Sequence, residues 1–238
     1  MTELFSNEYL KIIKNNQNIY KIIFYYQNAN NKLLFDSIIK TKLILGATVT
    51  SDYKMLQFKA LSVKSFQKYR EEENNNLKKN TTNISANILY SLSIQLNYLL
   101  SNSYCFLGYN TKDIFIIDNN YVFLNTEYIH KINEKNMITI CYPFTTNDFF
   151  ISPELLKTTI LPFDVHFKTV YFSLACLILF ILIENNNCNF YIEYLNADDK
   201  YFEINKYLNL LPIKETKLYW TLSRCFVENP FERQILFI

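Results

Sequence analysis

Glycine is nearly missing. The 238 residues hold two, Gly46 and Gly108, where average usage would give roughly 17. Glycine lets a backbone approach a phosphate closely or turn through positive φ. Two glycines this far apart can build no Walker loop, no dinucleotide fingerprint and no nucleophile elbow, which excludes most nucleotide enzymes. Paired cysteine motifs are missing as well: Cys105, Cys141, Cys176, Cys188 and Cys225 are an odd number, widely spaced, with no C-x-x-C pair. That pattern predicts neither a disulfide framework nor a zinc site, and it suits a reducing compartment. His130 and His166 are the only histidines, and neither stands in a metal-ligand spacing.

A strong excess of either charge is absent too, with 24 Lys and Arg against 22 Asp and Glu. A net charge of +2 and 19% charged residues give no bias toward nucleic acid or anionic membrane. Lys78-Lys79 is too short for a nucleic-acid patch, and Glu71–Glu73 reads as a solvated helix end. The N-terminus carries Glu3 and Glu8 and has no long apolar core, so it does not read as a secretory signal. The longest apolar run, Thr169 to Ile183, falls short of the ~20 residues that span a bilayer and predicts a helix buried on all sides.

What is abundant is Asn, Ile, Lys, Tyr and Phe, all with AT-rich codons; an AT-rich parasite or a large DNA virus is a fitting source. Asn74–Asn76 and Asn185–Asn187 read as polar loops. Residues 1–16 can form a short amphipathic helix with Leu4, Tyr9, Ile12 and Ile13 on its apolar face, and 19–26 predicts a strand with Asn28–Asn31 as the turn after it. Leu33 to Leu45 is ambiguous between helix and strand, Thr48–Ser51 is turn-like, and Tyr53–Leu61 predicts another strand. Ser65 is a plausible cap for a short helix within Lys64–Lys79, and Thr82 or Asn83 for the stripe Ile84, Ile88, Leu92, Leu96. Strand-like runs 114–117 and 121–124 flank Asp118-Asn119-Asn120, which is hairpin chemistry. After the buried helix comes an irregular aromatic-rich stretch, then a helix over Lys217–Val227.

The order from about residue 80 onward resembles the C-terminal lobe of eukaryotic-type protein kinases. Asp113-Ile-Phe-Ile-Ile resembles the end of the catalytic loop, and Asn125-Thr-Glu127 stands where kinases have Asp-Phe-Gly. Ser152-Pro153-Glu154 is similar to the Ala-Pro-Glu that closes the activation segment. Tyr171-Phe-Ser-Leu-Ala175 resembles the central helix beginning Asp-x-Trp-Ser-x-Gly, and Asn229-Pro-Phe-Glu-Arg233 the late Asp-Pro-x-x-Arg. The resemblance implies an α+β, protein kinase-like chain: a reduced, mostly β N-lobe over residues 1–62 and a mainly helical C-lobe over 63–238. It also implies that Glu154 pairs with Arg233.

Kinase chemistry needs a carboxylate for the substrate hydroxyl, a lysine on the phosphates, and an Asn and an Asp on magnesium. The resemblance places Phe106, Leu107 and Gly108 at His-Arg-Asp and Asn110 at the catalytic-loop lysine. The kinase glycine-rich loop is absent, and Lys21 is a weak candidate for the strand lysine. Asp113 and Asn125 form a swapped version of the metal pair, with Glu127 as a further carboxylate; alternatively Asp113 caps a turn and Asn125 ends a strand. The expectation is therefore a pseudokinase with no cofactor and no metal, working as an intracellular (cytoplasmic or virion-associated) scaffold that binds a protein, neither nucleic acid nor membrane. Phe190–Phe202 is the candidate contact surface. The alternatives are a divergent kinase or nucleotide-binding protein taking Mg-ATP at Asp113, Asn125 and Glu127, and a structural virion component that reuses the fold.

Overall fold

A computed structural model describes residues 1–77, 81–183 and 189–236. Lys78-Lys79, Asn185–Asn187 and Cys188 lie outside the described residues.

The first 59 residues hold a five-stranded antiparallel sheet of order β1-β2-β3-β5-β4 and one helix. The strands are β1 (Thr2–Ser6), β2 (Leu10–Lys14), β3 (Ile19–Phe24), β4 (Thr48–Val49) and β5 (Met55–Lys59). The helix expected over residues 1–16 is instead the β1–β2 hairpin. Asn7 decides this locally: its Oδ1 accepts from Tyr9 N at 3.1 Å and Leu10 N at 2.9 Å, fixing a turn. Leu10 and Ile12 then face inward while Lys11 and Ile13 face outward, a period of two. Asn28–Asn31 is not a free turn but the start of helix α1 (Ala29–Lys40), with Asn28 Oδ1 accepting from Asn31 N at 2.9 Å. Helix α1 lays Phe35 against Phe24 of β3 (ring centroids 5.3 Å apart).

Strand β6 (Val63–Ser65) leads into helix α2 (Phe66–Leu77), capped by Ser65 Oγ at Lys68 N, 3.2 Å. Helix α3 (Thr81–Ser101) already includes Thr82 and Asn83, so the caps expected there are first-turn residues instead. Strands β7 (Tyr104–Phe106), β8 (Ile114–Ile117) and β9 (Asn120–Phe123) follow. The β8–β9 turn has φ of 47° at Asp118 and 71° at Asn119, the doubly positive geometry that Asn and Asp tolerate best after glycine. Gln95 of α3, fully buried, donates to Phe123 O at 3.0 Å and to Ser37 Oγ at 3.2 Å, and accepts from Phe123 N at 3.1 Å. One amide thus joins α3, β9 and α1.

Strand β10 (Ile129–Lys131) pairs with β7, and β11 (Met137–Ile140) with β12 (Phe163–His166). Between the last two lies the single turn α4 (Pro153–Leu156). Helix α5 (Thr169–Ile183) buries thirteen of its fifteen residues, which is why it lacks a polar stripe. Helices α6 (Phe190–Asn196), α7 (Lys200–Leu210) and α8 (Lys217–Cys225) complete the fold. The stretch expected to be irregular is therefore α6 and the start of α7, with Phe190 and Tyr194 buried and only Ile192 and Phe202 strongly exposed among its apolar residues. No helix among the described residues is long and apolar enough to cross a membrane.

Glu154 and Arg233 meet in a bidentate ion pair, Nη1–Oε1 2.5 Å and Nη2–Oε2 2.9 Å. Arg233 is fully buried, lies 5.0 Å over the Phe172 ring of α5 and donates Nε to Val227 O at 2.9 Å. Removing Glu154 leaves a fully buried guanidinium without its counter-charge, and removing Arg233 leaves a half-buried carboxylate unpaired and the space beside Phe172 empty. Glu154→Ala and Arg233→Ala should each cost about 3–5 kcal/mol in urea denaturation; melting like wild type in both would show that the pair does not hold the C-terminal helices to α4.

Candidate functional site

The loop between β7 and β8, residues 107–113, is the floor of a cleft whose roof is the β1–β2 turn. Asp113 ends the loop and is 4% exposed. Its Oδ2 accepts from Asn110 Nδ2 at 2.8 Å and Asn125 Nδ2 at 2.6 Å, and its Oδ1 accepts from the Tyr9 hydroxyl in a short contact. Asn110 also receives Asp113 N at 2.8 Å and donates to Asp148 O at 2.8 Å. The other face of Asn125 is occupied too, since its Oδ1 accepts from Glu127 N at 2.8 Å. Asp113, Asn110 and Asn125 thus come together in one network, with Glu127 exposed at its edge. Both Asp113 oxygens and the Asn125 oxygen are engaged by protein donors rather than presented to a cation.

Burial pushes the Asp113 carboxyl up to about 7; the Asn125 amide opposes that shift and the neighbouring charge of Glu127 adds to it. The cleft itself, ≈ 410 Å³, is lined by Glu8, Asp113, Glu127 and Asp148 against the single cation Lys112. Its field is anionic, opposite to what a polyphosphate needs.

Gly108 stands deeper. A Cβ on it would lie 2.3 Å from Phe149 Cδ2 and 2.9 Å from Ser173 Oγ. Phe149, 2% exposed, fills the volume that any side chain at 108 would take. Ser173, from α5, accepts from Tyr109 N at 2.8 Å and so ties the loop to the buried helix. On the roof, Phe5 of β1 meets Phe115 of β8 edge-to-face at 4.9 Å, closing the gap between the sheet and the floor. Lys21 does not reach the cleft. On β3, Tyr20, Ile22 and Phe24 face the buried side and Lys21 the other; the contact between β3 and α1 is made by Phe24 and Phe35, both apolar.

Two further ties hold α1 to the segment after β9: Asn28 Nδ2 donates to Thr126 Oγ1 at 3.2 Å, and Asn30 Nδ2 to Thr126 O at 2.9 Å. His130 stacks on Tyr142, whose hydroxyl is 2.7 Å from Nε2, and burial pushes its pKa down to about 4. His166 packs on Phe231 at 4.4 Å. Among the described residues no group of three His, Cys, Asp or Glu side chains could hold a metal ion. Tyr9, Phe5 and Phe149 escape a sequence reading because each looks like any other aromatic. The one signal for Tyr9 was the polar tip Ser6-Asn7-Glu8 between two apolar alternations.

No protein-family model matches the chain, and no curated protein matches its sequence. Among solved structures it is similar to a rhoptry kinase from Toxoplasma gondii, with a TM-score of 0.57 over 98% of this chain and 73% of that one. The fold is protein kinase-like. At 10% sequence identity the likeness speaks for architecture alone. In this fold the cleft just described is the one between the two lobes, with the β1–β2 turn closing it from above.

Two measurements test the packing of the cleft. Gly108→Ala should destabilise the protein by about 1–3 kcal/mol, because Phe149 has to move; an unchanged denaturation midpoint would mean that the space is not filled. Asp113 has a raised folded pKa, so its contribution to stability is complete below the unfolded value near 3.8 and disappears as pH rises through about 7. Against Asp113→Asn, wild type should lose on the order of 3–4 kcal/mol between pH 4 and 8. Parallel pH profiles would show that the carboxyl is not held neutral.

Proposed function

We propose that this chain is a pseudokinase: a protein kinase-like domain that transfers no phosphoryl group and acts by binding another protein. The observation that carries the reading is the space at Gly108. The catalytic carboxylate expected there is not merely missing; Phe149 occupies its volume, so no base can be accommodated beside the loop without repacking. Three further observations support it. The Asp113–Asn125 pair spends its oxygens on Tyr9, Asn110 and Glu127, the cleft is anionic, and Phe5 packs edge-to-face on Phe115 between the roof strand and the floor. With substrate positioning, metal binding and charge stabilisation all impaired, a scaffold role is what remains for the fold.

The clustering of Asp113, Asn125 and Glu127 around one cleft is what favours the second reading, a divergent nucleotide-binding protein. A thermal shift with millimolar ATP, alone and with magnesium or manganese, separates the two. The pseudokinase reading expects no change in melting temperature. A rise of several degrees that vanishes in an Asp113→Ala, Asn125→Ala double variant would replace it with the nucleotide-binding one.

A further inference from the structure

The outer face of the five-stranded sheet carries side chains that the core does not use. Cross-strand pairing puts Lys11 beside Ile23 and Ile23 beside Met55, then Ile13 beside Lys21 and Lys21 beside Gln57, then Ile19 beside Lys59. By strand alternation all of these point away from the buried set Leu10, Ile12, Tyr20, Ile22, Leu56 and Phe58. Ile13, Ile19, Ile23 and Met55 are half-buried by their neighbours, yet none packs against the hydrophobic core. The lysines step one strand and two residues at a time, from Lys11 on β2 to Lys21 on β3 to Lys59 on β5, a diagonal with a spacing of about 8 Å. Lys11 lies 6.0 Å from the Tyr25 ring, and neither Lys21 nor Lys59 has an ion-pair partner among the described residues. On the outward positions of β1 the only carboxylate is Glu3, at the sheet's edge beside Ile13.

We infer that this face is the docking surface for an acidic polypeptide segment in which carboxylates alternate with apolar side chains. The inference rests on the pseudokinase reading only in taking binding to be the chain's work. The diagonal of ammonium groups supplies the charge complement, and the aliphatic side chains on both sides of it supply area that a purely ionic ligand would leave wet. Polar and apolar positions that alternate at strand spacing match a segment that itself alternates with period two. A nucleic acid would meet the lysines, but the ring beside Lys11, Tyr25 just past β3, is tied to Ser6 Oγ at 2.7 Å, and β2, β3 and β5 add no outward ring on which successive bases could stack. A bilayer needs apolar groups that protrude beyond the charges, whereas here the lysine stems stand taller than the isoleucines between them.

The test is fluorescence anisotropy of a short labelled peptide alternating glutamate and leucine, added to the full chain at low salt. Saturable binding is expected. It should weaken at least about tenfold, the equivalent of 1.4 kcal/mol, in a Lys11→Glu, Lys21→Glu, Lys59→Glu variant. The matching Lys→Gln triple variant should fall between, and Lys131→Glu, Lys135→Glu on the opposite lobe should bind as wild type. Peptide binding that ignores the three sheet lysines, or no binding at all, overturns the inference. So does stronger lysine-dependent binding of oligothymidylate, or of phosphatidylcholine vesicles containing phosphatidylserine. Scanning the same samples with ATP and magnesium keeps the two readings apart. Failure of the peptide with no nucleotide binding removes this surface alone; nucleotide binding with the peptide interaction intact removes the inactive cleft alone.

Discussion

A guanidinium with no exposed surface must be neutralised and hydrogen-bonded where it lies, and Arg233 meets that demand with Glu154, the Val227 carbonyl and the face of Phe172. The arrangement joins three parts of the chain far apart in sequence: the turn α4 that ends the long segment after β9, the buried helix α5, and the C-terminal residues. Because α5 has almost no exposed surface, it cannot be placed by its own amphipathicity. Its position is set by what is bonded to it. Arg233 fixes one side through Phe172, and one residue later Ser173 holds the loop of residues 107–113 through Tyr109 N. The floor of the cleft is therefore positioned from beneath by the same helix that the ion pair secures.

The cleft is packed with aromatic rings where a polar site would need room. A carboxylate removed from the position of Gly108 would leave a cavity, and a cavity in a packed interior costs stability. Phe149 fills it so closely that any side chain at position 108 has to displace the ring. The same logic applies at the roof, where Phe5 and Phe115 meet, and between β3 and α1, where Phe24 on Phe35 joins strand to helix by apolar contact. At the cleft itself, Asp113 keeps a charge-bearing group in the interior. It stays tolerable because three donors surround it and because its carboxyl is held near neutrality.

Legibility in the sequence followed how local each determinant is. The β8–β9 hairpin could be read from Asp118-Asn119, and α5 from an uncharged run too long for a strand and too short for a membrane span. Both depend on residues next to one another. The helix read into residues 1–16 failed because Leu4, Tyr9, Ile12 and Ile13 match a helical stripe, while the deciding contact, Asn7 with Tyr9 N and Leu10 N, lies in side-chain geometry. Phe190–Phe202 suggested an exposed aromatic surface, but Phe190 and Tyr194 are buried by α6 packing that no local pattern announces. Asparagine was legible where the kinase resemblance singled it out, at Asn110 and Asn125, but not where it ties α1 to the segment after β9, since Asn28 and Asn30 read as an ordinary turn.

The contacts that fill the cleft are coupled. Restoring an acid at position 108 collides with Phe149; shrinking Phe149 alone opens a void beside Ser173 and Tyr109; freeing Asp113 for a cation requires withdrawing Tyr9, which belongs to the turn that Asn7 fixes. Each single step toward chemistry therefore passes through a less stable protein, and interacting neighbours of this kind do not add independently. The outer sheet face has no such entanglement. Lys11, Lys21 and Lys59 stand on the face of the sheet turned away from the buried side chains, so they can change while the interior stays as it is. The interior around the cleft is thus held by contacts that constrain one another, whereas substitutions on the outer sheet face leave those contacts in place.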